Sequence, residues 1–96
     1  MAGALVEINN DNLLIKGRLS FHTVMDVLVL SKPFFNKKNL SLDFSGVEAV
    51  DSSSLALLCE FARTAKSKNV ELKWANLPEQ LIHLIDVNHL RTLLKL

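Results

Sequence analysis

Leu40, Leu42 and Phe44 alternate with Ser41, Asp43 and Ser45, a period of about two that predicts a strand with one buried face. Gly46 is expected to turn the chain, and Val47, Ala49 and Val50 to tuck inward along a loop. The pattern then changes to a helical period. At about 100° per residue, Leu55, Leu58, Phe61, Ala62 and Ala65 share one face of a helix from Ser53 to about Lys66. Ala56, Glu60, Arg63 and Thr64 fall on the other face, with Leu57 at the margin. Asp51 or Ser52 is expected to cap its start, and Lys66 and Lys68 suit the negative end of its dipole.

Upstream, Leu5 to Ile8 and Leu13 to Leu19 read as strands joined by the polar turn Asn9-Asn10-Asp11-Asn12, hence a hairpin. Gly17 inside the second strand marks a bulge or a close backbone approach. Ser20 is expected to cap a helix over Phe21 to Leu30, with Val24, Val27 and Leu28 at helical spacing. Pro33 ends or kinks that helix, and Phe34 and Phe35 cover one end of the core. Downstream, Val70, Leu72 and Trp74 alternate as a strand, Asn76 reads as a cap and Pro78 as a first-turn residue. A third helix runs from Pro78 to about Asp86, and the tail through Leu94 closes the core as a turn or short helix. The order β, β, α, β, α, β, α predicts a small α/β domain: a mixed sheet with an N-terminal hairpin and helices packed against it.

The 96 residues make one domain, spanning 1–96, and their 49% hydrophobic content supports a modest core. A net charge of +1 gives no overall field for nucleic acid or an anionic membrane. One cysteine, Cys59, excludes an internal disulfide and a cysteine-based zinc site, and reads as a packed thiol in a reducing compartment. The first residues lack a basic start and a long apolar run, so no signal peptide is expected, and no apolar run is long enough to span a bilayer.

Chemistry concentrates at Asp51-Ser52-Ser53-Ser54. One cap uses one or two such residues, and four stand here after a buried strand. A helix start also accepts a phosphate, because its donors and dipole face the anion, so a phosphoacceptor or a polar docking point is physically reasonable. A hydrolase would need a base: His22, His83 and His89 lack the context of one, and Gly-x-Ser-x-Gly is absent. With three glycines and no Gly-Lys-Ser/Thr pairing, nucleotide hydrolysis is disfavoured.

The segment from Leu42 through Asp43, Gly46, Asp51, Ser52, Ser53, Ser54 and Leu55 to Leu58 resembles the signature of the STAS domain, whose members include the bacterial anti-sigma factor antagonists. The run Gly17-Arg18-Leu19-Ser20-Phe21-His22-Thr23-Val24 resembles that of MlaB-like accessory subunits of the Mla phospholipid-transport ABC system. The resemblance implies a cytosolic, non-enzymatic STAS subunit without cofactor or metal. It would bind an MlaF-like ABC ATPase and, through it, an inner-membrane permease complex that maintains outer-membrane lipid asymmetry. It places Ser52 at the family's key hydroxyl position: an ATPase contact in one branch, a phosphoacceptor in the anti-sigma branch. The partner surface expected on these grounds is Asp51, Ser52, Ser53, Ser54, Ala56, Leu57, Glu60 and Arg63. Ser54 stands where the family usually has glycine, and its side chain is expected to narrow access to Ser52.

Overall fold

The computed structural model describes residues 5–96. The Asn-rich turn folds strand β1 (Leu5–Asn9) back on β2 (Asn12–Leu19) as an antiparallel pair, with Asn10 in the left-handed region that asparagine tolerates. Helix α1 (Val24–Ser31) and a 3₁₀ turn (Lys32–Phe34) lead to β3 (Asn39–Val50), which lies parallel to β2. Helix α2 (Ser53–Lys68) crosses over to β4 (Glu71–Ala75), parallel to β3. Helices α3 (Glu79–Val87) and α4 (Arg91–Leu94) complete the chain. The sheet order is β1-β2-β3-β4. The expected mixed α/β architecture is therefore the observed one.

The core lies between the sheet and the helices. Leu13, Ile15 and Leu19 of β2 and Leu40, Leu42 and Phe44 of β3 meet Val27 of α1, Leu58 and Phe61 of α2, and Leu81 and Ile85 of α3. Phe35 is buried and stacks on Phe61 at a centroid distance of 5.6 Å, so it seals one end of the core as expected. At the other side, half-buried Trp74 stacks on Phe44 at 6.3 Å. Its indole N–H donates to the Leu94 carbonyl at 2.8 Å, which anchors α4.

Several local expectations are corrected. Gly46 does not turn the chain: β3 runs straight on to Val50. Gly46 pairs with Lys16, and a Cβ there would stand 2.8 Å from Lys16 Cγ and 3.2 Å from the Ile15 carbonyl oxygen. Glycine is thus required by close approach of the two strands, not by a turn. β3 stays paired because it bulges, with register shifts between Leu14 and Lys16 and again between Gly17 and Arg18. Gly17, at φ 92°, sits at the second, where the sequence marks a bulge.

Helix α1 starts at Val24, after a turn over residues 20–23, so Ser20 is not its cap residue. Thr23 takes that place, and its hydroxyl oxygen accepts the Ser20 N–H at 2.9 Å. Asn76 is not a helix cap either. It adopts φ 56° and donates its side-chain amide to Asp43 at 3.0 Å, while Pro78 occupies the cap position of α3.

Candidate functional site

The ends of β2 and β3 fix where the two signature segments meet. Leu19 and Val50 are register partners, and the Asp51 N–H donates to the Leu19 carbonyl at 3.1 Å. The loops leading into α1 and α2 therefore leave the same edge of a parallel pair, the edge where α/β sheets present their ligands.

Asp51 ties the two loops together. Its Oδ1 accepts the Ser53 N–H at 2.8 Å and also the Ser53 hydroxyl. Its Oδ2 accepts the Phe21 N–H at 3.3 Å, across 30 residues of sequence. The Asp51 carboxyl is held below its ordinary value of 3.8, first by the Ser53 hydroxyl, then by the Ser53 and Phe21 N–H groups and the charge of nearby His22, which outweigh desolvation. Asp51, not Ser52, is the group that caps α2.

The remaining residues of the expected site divide by exposure. Ser52 is exposed at the N-cap position and its side chain makes no capping bond, since its backbone is already helical at φ −64°, ψ −21°. Ser53 is half-buried, its hydroxyl given to Asp51. Ser54 is 0% exposed and donates its hydroxyl to the Asp51 carbonyl at 2.6 Å. It lies beneath the helix start, so it neither narrows access to Ser52 nor offers a contact. Leu57, 2% exposed, belongs to the core and is withdrawn from the outward face. Ala56 and Arg63 are exposed and Glu60 partly so, with Arg63 and Glu60 paired at 3.2 Å.

From this edge α1 and its entry turn carry an exposed apolar set that the expected partner surface leaves out. Phe21 in the turn is 77% exposed, and along α1 Met25 is 64%, Val29 60% and Leu30 48% exposed. His22 meets the Phe21 ring edge-on at 5.6 Å. The signal was present in the sequence: Val24 to Leu30 is apolar all round except for Asp26, whereas a helix lying on a sheet buries only one stripe. Isolated exposed apolar residues need no explanation, but a contiguous set beside polar groups marks an interaction surface.

Ser53 donates straight to Asp51 with no imidazole between, and a carboxylate with a depressed pKa is a weak base. His83 lies on α3 and His89 just beyond it, and the bonds of the Ser53 and Ser54 hydroxyls go to Asp51 and not to either. Among the described residues no group of three or more His, Cys, Asp or Glu side chains gathers to hold a metal ion, and no helix is long and apolar enough to cross a membrane.

A short mixed sheet with its serine-bearing helix start facing outward defines a STAS-type domain. The family model described as "Mlab, STAS domain" matches residues 7–95, and the chain belongs to that family. No curated protein matches it by sequence. Among solved structures it is similar to the anti-sigma factor antagonist SpoIIAA in its unphosphorylated form, at 15% identity and TM-score 0.71, over 92% of this chain and 82% of that one. The phosphorylated form of SpoIIAA, a Bacillus cell fate determinant, matches at 14% identity and TM-score 0.66, over 94% and 86%. SLC26A9 matches at 16% identity and TM-score 0.62, over 95% of this chain but 20% of its own length. These similarities show the fold, which the chain shares with SpoIIAA.

Proposed function

We propose that this chain is a non-enzymatic accessory subunit that docks on the ATPase of an ABC phospholipid transporter and supports its assembly or activity. It works on the cytosolic face, reaching the permease of the inner membrane through the ATPase, and serves outer-membrane lipid asymmetry. The observation that carries this reading is the Phe21 N–H bond to Asp51, which holds the backbone of an exposed aromatic residue to the loop that carries the exposed Ser52. Membership of the Mlab family supports the choice of partner. Aromatic residues and methionine are enriched in protein interfaces, and Phe21 and Met25 supply them exposed, with Ser52 and Ala56 exposed at the start of the neighbouring α2.

Co-purification with the ATPase tests it. Val29→Asp and Ser52→Arg, both at exposed positions, should keep the fold while reducing recovery of the complex at least about tenfold, the loss of one interface hot spot. Wild-type recovery and wild-type ATPase activity for both variants would sink the proposal.

A second reading, an anti-sigma factor antagonist switched by phosphorylation of Ser52, is favoured by the exposure of that hydroxyl at a helix start. SpoIIAA has been solved in phosphorylated and unphosphorylated forms. Incubation with the serine kinase of the same cell, followed by mass spectrometry, distinguishes the two. Phosphate on Ser52, lost in Ser52→Ala, supports the switch, and an unlabelled chain under an active kinase argues against it.

A further inference from the structure

We infer that the concavity between the 3₁₀ turn and the C-terminal half of α2 binds a phosphate group, at the end of the molecule opposite the serine edge. It measures about 280 Å³ and is lined by Lys32, Arg63, Thr64, Ser67 and Lys68. Three cations and two hydroxyls from two separate elements thus face one space, and among the described residues no carboxylate lines it. The volume is small for an extended organic ligand and ample for a tetrahedral anion.

Cations at a helix C-terminus have an ordinary explanation, because they complement the dipole. Its magnitude is too small here. Two helix ends meet at this place, since Lys32 is the C-cap residue of α1 and Lys66 and Lys68 lie in the last turn of α2. Each end carries roughly half a negative charge, together about one. Lys32, Arg63, Lys66 and Lys68 stand against them, with one charge taken up by Glu60, which pairs with Arg63 at 3.2 Å. An excess of about two positive charges remains, which matches the charge of roughly −1.5 to −2 on a phosphate monoester. The Glu60 pair does not close the site: Arg63 is 78% exposed, an exposed pair is weakly held, and the guanidinium can turn its fork to phosphate oxygens. Thr64 and Ser67 add hydroxyl donors of the kind that complete phosphate coordination.

The site lies apart from the serines. Fifteen residues separate Ser52 from Ser67 along α2, about 22 Å at helical rise. The ligand class is a phosphate monoester, on a lipid headgroup that ends in one or on a soluble phosphate compound.

Two measurements on the full chain decide between these sources and against both. In the first, inorganic phosphate is titrated at constant ionic strength while backbone amide shifts are followed by NMR. Saturable shifts are expected at Lys32, Thr64, Ser67 and Lys68, with Ser52 unmoved. The combined Lys32→Gln, Arg63→Gln, Lys68→Gln variant should bind at least about tenfold more weakly, the worth of one charge-assisted hydrogen bond. All three positions are exposed, so its melting temperature should stay near that of the wild type. In the second, the protein is sedimented with phosphatidylcholine vesicles containing phosphatidic acid or, at matched surface charge, phosphatidylglycerol. Pelleting with phosphatidic acid beyond that with phosphatidylglycerol, lost in the triple variant, identifies a headgroup monoester site, and equal pelleting with both reports surface charge alone and counts against one. Phosphate-dependent shifts without pelleting identify a soluble phosphate site. The inference is overturned if neither probe binds, if the triple variant binds as the wild type does, or if the shifts follow ionic strength and not phosphate.

Discussion

Asp51 holds two loops with one carboxylate, and its titration should be visible in the stability of the domain. A carboxyl whose pKa falls on folding stabilises the native state above its unfolded value, and that contribution is lost as pH falls through the lower, folded value. Asp51 is such a group, with an ordinary value of 3.8 and a folded value beneath it. Asp51→Asn keeps an acceptor for the Ser53 N–H but cannot titrate. Its melting temperature should therefore fall less steeply than the wild type's as pH drops below about 4. Parallel acid limbs for the two proteins would refute the assignment. Asp43, lowered first by the Asn76 amide, and Asp86, lowered first by its bond to Arg91, supply the slope that remains.

At this scale the sequence marked the stretch that caps α2 and could not order its members. Asp and Ser are both good caps, and what decides is that Ser52 already has helical backbone angles, which turn its side chain away from the free N–H groups. Ser54 was unreadable for a related reason. A serine at a helix start reads as polar and outward, yet one turn of helix carries it beneath the chain, where its hydroxyl is satisfied by the Asp51 carbonyl.

At the scale of elements, α2 buries Ser54, Leu57, Leu58, Phe61 and Ala65, with Leu55 and Ala62 only partly covered. Periodicity alone admits either leucine, because Leu55 and Leu57 flank the Leu58–Phe61 axis on opposite sides. Packing against α1 on one flank and α3 and α4 on the other settles it. Leu57→Ala should cost about 2–5 kcal/mol, as truncation of a buried leucine does. Leu55→Ala should cost less, and Ala56→Arg should stay within about 0.5 kcal/mol of wild type. Urea unfolding of the three variants checks the order, and a larger loss at Leu55 than at Leu57 would contradict the packing. Strand β3 was legible only through Ser45, because its bulges break the period of two just where Gly46 imitates a turn.

For the whole molecule, the topology followed from element order and short connections, since strands separated by single helices leave parallel pairing as the simple solution. The charge distribution did not. A net +1 reads as featureless, yet the cations of the 3₁₀ turn and the last turns of α2 crowd one end of the helical layer. The serines mark the other end, and the exposed apolar residues of α1 run from that end towards Lys32. The meeting of Lys32 with the end of α2 does not exist along the chain: it appears only when β2 and β3 lie side by side and bring their following helices into contact.

That parallel pairing also governs how fast the domain forms. β2 cannot meet β3 until residues 20–38 have crossed the sheet, so the entropy of closing that loop is spent before any ladder bond repays it. Nascent helix in α1 shortens the crossing, whereas α4 docks on a framework already built. Val27→Ala, at a buried position of α1, should therefore lower the refolding rate constant, while Leu94→Ala should mainly raise the unfolding rate constant. Stopped-flow chevrons of the two variants would show opposite arms displaced, and the same arm moving in both would place the slow step elsewhere in the chain.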